Sequence, residues 1–201
     1  MTISSAWFKH PLSHKVIELG QNIMFDAAGT PYGATVGAQE FYAGNLHKTI
    51  LTCATTPITF TDVPHTEMYG GVKIYDFPAG SICTLGAVVS GTLSIAAALA
   101  TFAGGVALGT VTATTGTTLA STEADIMQEV DVAAAAANVA TISAVQFATA
   151  LTESGATWLD GTATAKDMYL NFVIDENAAN VTGLGYFSGT VTVTWINLGD
   201  K

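Results

Sequence analysis

The stretch Gly189-Thr190-Val191-Thr192-Val193-Thr194-Trp195 decides the fold class of this chain. Threonine and valine alternate in it with a period of two residues, so an extended strand would carry one residue type on each face. Both residue types are β-branched, and β-branched residues favour strands over helices. The stretch therefore predicts a strand with a buried apolar face and a solvated hydroxyl face.

Strand-like segments recur from residue 48 onwards and are separated by Gly, Pro, Asn and Asp. They are residues 49–53, 58–61, 72–77, 82–95 (as one long or two short strands), 106–114, 168–174 and 186–196. Short strands at such spacing are typical of all-β domains. We predict a jelly-roll-like β-sandwich over residues 48–201, preceded by an extended N-terminal arm and loop region over residues 1–47.

Two segments have helical features. Ser121 or Thr122 could cap a short helix that runs to Met127, because acidic residues follow in its first turn. Alanines at 133–137 favour helix by propensity, whereas residues 139–147 alternate as a strand does. For residues 131–151 we expect a loop or short helix followed by a strand.

The middle of the chain is uncharged, with no Asp, Glu, Lys or Arg between Asp76 and Glu123. Within it, residues 93–111 have the length of a membrane span. Thr101 and several glycines interrupt this apolar run, and Gly104-Gly105 has the character of a turn. We therefore predict a strand, a turn and a second strand here rather than a spanning helix.

Composition excludes some partners. The 201 residues include six lysines and no arginine, and the formal net charge is -10. Binding to nucleic acid needs many basic side chains on phosphates, so we expect no nucleic-acid partner, and no membrane partner either. Residues 1–10 lack the basic and apolar segments of a secretory signal, which predicts folding in the cytoplasm. Cys53 and Cys83 have no metal-ligand spacing and are predicted to be buried thiols rather than a disulfide.

No pattern of catalytic residues is present, and we predict no enzyme, no cofactor and no metal site. The histidines lie outside any nucleophile motif and are predicted to face solvent in loops; they are His10, His14, His47 and His65. Two carboxylate pairs flank predicted element ends, where acids cap or solvate turns: Glu123 with Asp125, and Asp175 with Glu176. Calcium at residues 175–177 is a remote alternative.

Aromatic residues are concentrated in the first 47 residues. They either close one end of the core or form a contact arm to a neighbouring subunit. The candidate contact residues are Trp7, Phe8, Tyr32, Phe41 and Tyr42.

Three segments resemble those of tailed-bacteriophage and prophage structural proteins. Residues 72–80 resemble a KIYDFPxG segment, residues 160–172 resemble DGTxTAKDxYLNF, and residues 192–200 form the similar C-terminal segment. The resemblance covers the chain from about residue 48 to the end and brings no catalytic residue with it. It implies a virion component, and within that class a capsid decoration (cement) protein of jelly-roll type is the preferred assignment.

A decoration protein would bind the outer capsid surface and stabilise contacts between capsomers. Its partners would be the major capsid protein and further copies of itself, as a dimer or trimer. It would lie on the capsid exterior after folding in the host cytoplasm. The five aromatic residues would then be capsid or subunit contacts.

A tail, fibre or receptor-binding (glycan-binding) virion module is the alternative. Trp158 beside Asp160 and Gly161 could stack on a sugar ring, as aromatic faces do, if its side chain is exposed. A buried Trp158 would remove the main reason for this hypothesis. A wall-degrading enzyme and a non-viral surface or filament protein are further alternatives.

Overall fold

The computed structural model describes residues 28–63, 67–95, 103–114, 116, 118–136, 139–147, 158–175 and 183–199. A single three-residue 3₁₀ helix, Ser121–Glu123, and twelve strands make up its regular structure. The strands are β1 (Thr30–Pro31), β2 (Val36–Ala43), β3 (Leu46–Val63), β4 (Glu67–Asp76), β5 (Gly80–Ile95), β6 (Ala103–Gly109), β7 (Met127–Asp131), β8 (Ala133–Ala136), β9 (Val139–Phe147), β10 (Trp158–Gly161), β11 (Asp167–Asp175) and β12 (Gly183–Asn197). Over these ranges, no helix has the length and apolarity needed to cross a membrane.

All twelve strands belong to one antiparallel sheet. Its main order is β7-β6-β11-β4-β3-β12-β5-β9-β8, and β1, β2 and β10 pair with β4, β3 and β5 respectively. β7 and β8 stand at opposite ends of this order, yet only Val132 separates them in the sequence. The two ends must therefore meet, so the sheet curls round until it is nearly closed. The prediction of an all-β fold is confirmed in this form.

The alternating Thr/Val stretch forms the centre of the sheet. β12 pairs with β3 along one side and with β5 along the other. Val191, Val193 and Trp195 are fully buried, whereas Thr190 is exposed and the threonines at 192 and 194 are partly exposed. The predicted division into an apolar face and a hydroxyl face is confirmed.

The enclosed face of the sheet forms one hydrophobic core. Its largest fully buried side chains come from strands far apart in the sequence and from the loop after β4: Trp195, Tyr75, Phe60, Phe77, Phe172 and Phe187. Burying apolar surface is the main favourable term in folding, so this core holds the curled sheet together. Cys53 and Cys83 are buried free thiols, as predicted.

Most predicted strands exist, several as parts of longer ones. Residues 49–53 and 58–61 belong to the single strand β3, and residues 82–95 form one long strand. The segment predicted at 106–114 leaves the sheet at Gly109, earlier than its alternation indicated.

The prediction of a turn at Gly104-Gly105 is wrong. Both glycines lie within β6, opposite Ile174 and Val173 of β11. A Cβ atom on Gly104 would overlap the Val173 carbonyl oxygen, and one on Gly105 would overlap the Glu129 side chain. The glycines therefore permit close approach of neighbouring chain rather than a reversal. Residues 93–95 and 103–109 are strand, and residues 96–102 lie outside the described residues.

The helical predictions are also wrong. The helix predicted from Ser121 or Thr122 to Met127 is a single 3₁₀ turn, and Met127 already begins β7. Ala133–Ala136 form β8, and the strand predicted to follow them is β9. Pairing of β8 with β9 overrides the helix propensity of alanine, because propensity is small beside tertiary pairing.

The described part of the predicted N-terminal region joins the sheet. Residues 28–47 contribute β1, β2 and the start of β3, and all eight residues of β2 pair with β3. Residues 1–27, which include Trp7 and Phe8, lie outside the described residues. The extended arm and the domain boundary at residue 47 stay predictions.

A loop covers the outward face of β6 and β11. Its residues Ala113, Leu119 and Ala124 pack with Ala107 and Val173 in a second, smaller apolar cluster. The buried side chain of Asn171 pins the loop: its Oδ1 accepts the Ala113 N–H at 2.9 Å, and its Nδ2 donates to the carbonyls of Val111 and Glu123, both at 2.8 Å. This part of the outer surface is therefore internal to the fold.

The close approach at Gly104 leads to a first prediction. Gly104→Ala should lower the free energy of unfolding by about 1–3 kcal/mol, because the added methyl group must displace the backbone at Val173. Gly37→Ala is the matched control, since a Cβ atom there meets nothing within 4 Å. Urea unfolding at neutral pH measures both, and equal stability of the two variants would contradict the explanation.

Candidate functional site

The outward face of β3, β12, β5 and β9 carries rows of hydroxyl groups. Thr52, Thr190, Ser90 and Ser143 lie directly opposite one another across the four strands, and all four are exposed. Paired residues of an antiparallel ladder share a face, and neighbouring strands are about 4.8 Å apart. We call this surface the hydroxyl face. A second exposed row, Ser188, Thr92 and Thr141, runs beside the first.

At one end of the hydroxyl face the side chains become apolar. One row crosses β2, β3, β12, β5 and β10 and consists of Ala43, Leu46, Ile196, Cys83 and Trp158. Leu46 is 41% and Trp158 is 59% exposed, Ile196 is partly exposed, and Cys83 between them is only 7% exposed. We call Leu46, Ile196, Cys83 and Trp158 the apolar corner. Exposed apolar side chains that lie together on one surface often mark a binding site.

The hydroxyl face and the apolar corner carry little charge. Lys48 is the one charged residue among the described outward positions at residues 46–52, 83–92, 141–143 and 188–196. The whole chain, by contrast, has a formal net charge of -10. The acidic groups therefore lie elsewhere, and this surface suits an uncharged partner.

Three of the predicted contact residues are described, and all three are exposed. The exposed fractions are 50% for Tyr32, 49% for Phe41 and 57% for Tyr42. Phe41 and Tyr42 are adjacent in β2 and so point to opposite faces of that strand. We refer to these three exposed side chains, one just after β1 and two in β2, as the aromatic edge. Their role as capsid or subunit contacts stays a prediction.

Tyr32 rests on a group of charged side chains. The Lys73 Nζ atom lies 4.4 Å from the centre of the Tyr32 ring and is paired with Asp167 at 2.9 Å and with Asp76. Burial opposes the charged form of Lys73, but the hydrogen bonds to the two carboxylates raise its pKa above the usual value. A lysine held charged over an aromatic face stabilises the position of the ring.

A buried polar network fixes β2 to the rest of the sheet. β3 pairs with β4 only at residues 60–63, and nearer its start it pairs with β2. Tyr75 of β4 reaches across the resulting gap, where its hydroxyl accepts the Gly29 N–H at 2.8 Å and donates to Glu40 Oε2 at 3.4 Å. Thr49 donates to the same hydroxyl at 3.4 Å and accepts the Trp195 indole N–H at 2.8 Å. Burial raises the pKa of Tyr75, so it remains a neutral donor.

The prediction that the histidines face solvent is wrong for His47. Its ring is fully buried and stacks on Trp195, with 4.0 Å between centroids and 10° between planes. Its Nδ1 atom lies 3.3 Å from Glu40 Oε1, so His47 belongs to the same network. His10, His14 and His65 lie outside the described residues.

The acidic pair Glu123 and Asp125 has the predicted structural role of stabilising a turn. Glu123 Oε1 accepts both the N–H and the hydroxyl of Thr114 at 2.6 Å. Asp125 accepts the N–H and the hydroxyl of Thr110 at 2.8 and 2.7 Å. Burial raises the pKa of Asp125, and the bonds from Thr110 oppose this rise. Within the described ranges, no group of three His, Cys, Asp or Glu residues is placed to hold a metal ion.

Trp158 meets the condition that the glycan hypothesis set, since its side chain is exposed. Asp160 is two residues further along β10 and pairs with Ser81, so it shares the outward face with Trp158. Asp160 Oδ1 accepts the hydroxyl and the N–H of Thr162 at 2.7 and 3.1 Å. These bonds lower the pKa of Asp160, which is therefore ionised at neutral pH.

Sequence reasoning missed the apolar corner. Leu46, Cys83, Trp158 and Ile196 are far apart in the sequence, and only the register of the sheet brings them together. One signal was present: Ile196 continues the threonine side of the Thr/Val alternation, so it had to face outward.

Comparison of the chain with protein-family models, with curated proteins and with solved structures finds no significant match.

The Tyr75 network leads to a second prediction. Tyr75→Phe should lower the free energy of unfolding by about 1–3 kcal/mol, because the Gly29 N–H and Glu40 lose a buried partner. Tyr42→Phe, at an exposed tyrosine of the same region, should change it by less than about 0.5 kcal/mol. Urea unfolding measures both values. A Tyr75→Phe protein as stable as the Tyr42→Phe protein would show that the network does not fix β2.

The charged group under Tyr32 leads to a third prediction, on pH. Burial raises the pKa of Asp167, but the hydrogen bond from Lys73 and the positive charge of that lysine outweigh it and lower the pKa below the ordinary 3.8. An acid with a lowered pKa in the folded state stabilises the fold above its ordinary pKa, and this contribution disappears as the pH falls through the lowered value.

Asp167→Asn should therefore be less stable than the unmodified protein at pH 7, and the difference should shrink as the pH falls below about 3.8. Asp131→Asn, at an exposed carboxylate outside the Lys73 group, is the control and should show a smaller difference at pH 7. Thermal unfolding of both variants and of the unmodified protein, measured from about pH 2.5 to about pH 7, tests both expectations. A difference that is independent of pH would contradict the assignment.

Proposed function

We propose that this chain is a virion structural protein, a capsid decoration (cement) protein that binds the outer capsid surface and stabilises contacts between capsomers. The observation that carries the proposal is the aromatic edge, where Tyr32, Phe41 and Tyr42 are each about half exposed on a paired and cross-linked support. Exposed aromatic side chains held in place commonly supply most of the binding energy of a protein interface.

The segments that resemble phage structural proteins support the proposal because they build this support. Lys73 in the first segment pairs with Asp167 in the second. The Phe77 N–H donates to the Lys166 carbonyl at 2.9 Å and joins the same two segments through the backbone. Asn171, also in the second segment, pins the loop over β6 and β11. The resembling residues thus have structural roles, as expected of a protein whose work is attachment.

The finer architecture is part of the proposal. The nearly closed sheet would correspond to a jelly-roll-like sandwich, and residues 1–27 would extend from β1 as an arm that places Trp7 and Phe8 against a neighbouring subunit. The partners would be the major capsid protein and further copies of this chain, as a dimer or trimer, on the capsid exterior.

Attachment at many points explains how a small contact could suffice. A stable protein interface usually buries about 1,200–2,000 Å² in total, which three aromatic side chains alone do not provide. An oligomer that contacts several capsomers at once makes each further contact intramolecular, so modest affinities combine into strong retention.

A fourth prediction tests the aromatic edge. The double variant Phe41→Ser/Tyr42→Ser should fold, because β2 pairs through its backbone and Glu40 is retained, but it should bind capsids at least about tenfold more weakly. Gln39→Ser, at an exposed position of the same strand, is the matched control and should bind normally. Co-sedimentation with undecorated capsids of the encoding phage measures both. Normal binding by the double variant would refute the role of the aromatic edge.

The arm requires a separate deletion. Removal of residues 1–27 leaves β1 and β2 in place, whereas removal through residue 40 would also delete most of β2 and the Glu40 carboxylate of the buried network. Loss of capsid binding by the shorter deletion, with unchanged thermal stability, is expected if Trp7 and Phe8 are contacts. Full binding would exclude the arm from the interface.

The exposure of Trp158 favours a second candidate, a tail, fibre or receptor-binding module. Electron microscopy of virions labelled with an antibody against this chain separates the two. Label on heads supports the decoration protein, and label on tails or fibres supports the second candidate.

A further inference from the structure

We propose that Trp158 and Asp160 form a binding site for a neutral, extended polysaccharide that lies across the strands over the apolar corner. The site goes beyond capsid attachment, because it uses none of the three residues of the aromatic edge. Sugar rings would stack on the indole of Trp158, and their hydroxyl groups would donate to the carboxylate of Asp160.

The position of Trp158 is fixed by the strand that carries it. All four residues of β10 pair with β5, and Leu159, next to Trp158, is 4% exposed and lies opposite the buried Ile82. The indole therefore projects from a strand that is anchored in the core. A large aromatic ring held in this way loses little conformational freedom when a ligand binds.

Asp160 supplies the polar half of the site. It lies on the same face as Trp158 at a distance of about 6.7 Å along the strand, which is comparable to the size of one sugar ring with its hydroxyl groups. Both hydrogen bonds from Thr162 end on Oδ1, so they orient the carboxylate while Oδ2 can still accept from a ligand. A carboxylate accepts well from hydroxyl donors, since such charge-assisted bonds are stronger than neutral ones.

Charge selects a neutral ligand. Asp160 is ionised, and the chain as a whole carries a formal net charge of -10. Uronic or sialic acids would be repelled by the net charge of the chain; the described cations nearby are Lys48 on the four-stranded surface and Lys166, whose charge already acts on Asp160 and helps to lower its pKa. A polysaccharide with hydroxyl groups and no acidic groups suits both residues, because its rings can stack on Trp158 and its hydroxyl groups can donate to Asp160.

The neighbouring row indicates an extended chain rather than a single sugar. From Trp158 the row continues through Cys83 and Ile196 to Leu46, one residue per strand. Successive positions are about 4.8 Å apart, close to the advance of an extended polysaccharide per sugar unit. Cys83 is only 7% exposed, so ring faces could rest on Trp158, on the partly exposed Ile196 and on Leu46, with the hydroxyl face beside them.

Affinity electrophoresis in gels that contain dextran, mannan or laminarin tests the proposal, with hyaluronate as the anionic comparison. We expect at least one of the three neutral polysaccharides to retard the full chain and hyaluronate not to retard it. Trp158→Ala should weaken the binding at least about tenfold, and Trp158→Phe should retain most of it, because the phenyl ring can still stack. Asp160→Asn should also weaken it.

Tyr32→Ala is the matched control, since Tyr32 is a similarly exposed aromatic residue outside the apolar corner. It should bind the polysaccharide normally. The thermal midpoint of each variant shows that the fold is intact, and the exposed position of Trp158 makes a folding defect unexpected.

Three results would overturn the proposal: no retardation by any of the three neutral polysaccharides, equal retardation of the Trp158→Ala protein, or stronger retardation by hyaluronate. These results do not decide the capsid proposal. That proposal is tested separately, by co-sedimentation of the Phe41→Ser/Tyr42→Ser protein with capsids. If Trp158→Ala loses capsid binding while its retardation in the gels is unchanged, the apolar corner is a capsid contact and not a polysaccharide site.

Discussion

The hydroxyl group of Tyr75 joins β4 to β2 and β3 in the region where the backbone pairing between β3 and β4 has ended. Over residues 60–63 of β3 the two strands are joined by sheet pairing; beyond that point β4 pairs with β1, β3 pairs with β2, and the side chain of Tyr75 connects these two pairs. Tyr75 links β4 to Glu40 of β2 and to Thr49 of β3, and Thr49 links both to Trp195 of β12. Buried polar groups require such partners, so the position of each strand here depends on the others.

The nearly closed sheet has two outer surfaces of different character, one covered by a loop and one open. Over β6 and β11 the loop held by Asn171, Glu123 and Asp125 covers the sheet and makes its outward face part of the interior. Over β3, β12 and β5 the sheet itself is the surface, with hydroxyl groups at its centre and the apolar corner at one end. Attachment functions fit the second surface and the aromatic edge beside it, because both are built on strands that the Tyr75 network holds in place.

Predictions from the sequence are correct for local features of this fold and wrong where contacts between distant residues determine the structure. Alternation identified β12 and its two faces, because the period of two residues is a local property. It could not distinguish a turn at Gly104-Gly105 from a close approach to Val173, which is about seventy residues away in the chain. His47 and the alanines of β8 were misassigned for the same reason, since stacking on Trp195 and pairing with β9 are set by the register of the sheet. Tyr32, Phe41 and Tyr42 were chosen as candidate contacts from composition alone and are exposed, whereas the apolar corner required the pairing of four strands.

The place of β12 has a consequence for how the chain is made. β12 follows the other eleven strands in the sequence, yet it lies between β3 and β5 at the middle of the sheet. A nascent chain on the ribosome therefore holds two long strands, β3 and β5, whose shared neighbour has not yet been synthesised. Unpaired strand edges invite pairing with other chains, and contacts between residues as distant as Thr49 and Trp195 form slowly. The uncharged, threonine-rich segments of this protein must stay apart until the last strand emerges, so its yield in the cell will depend on the crowding of nascent chains as well as on the stability of the finished sheet.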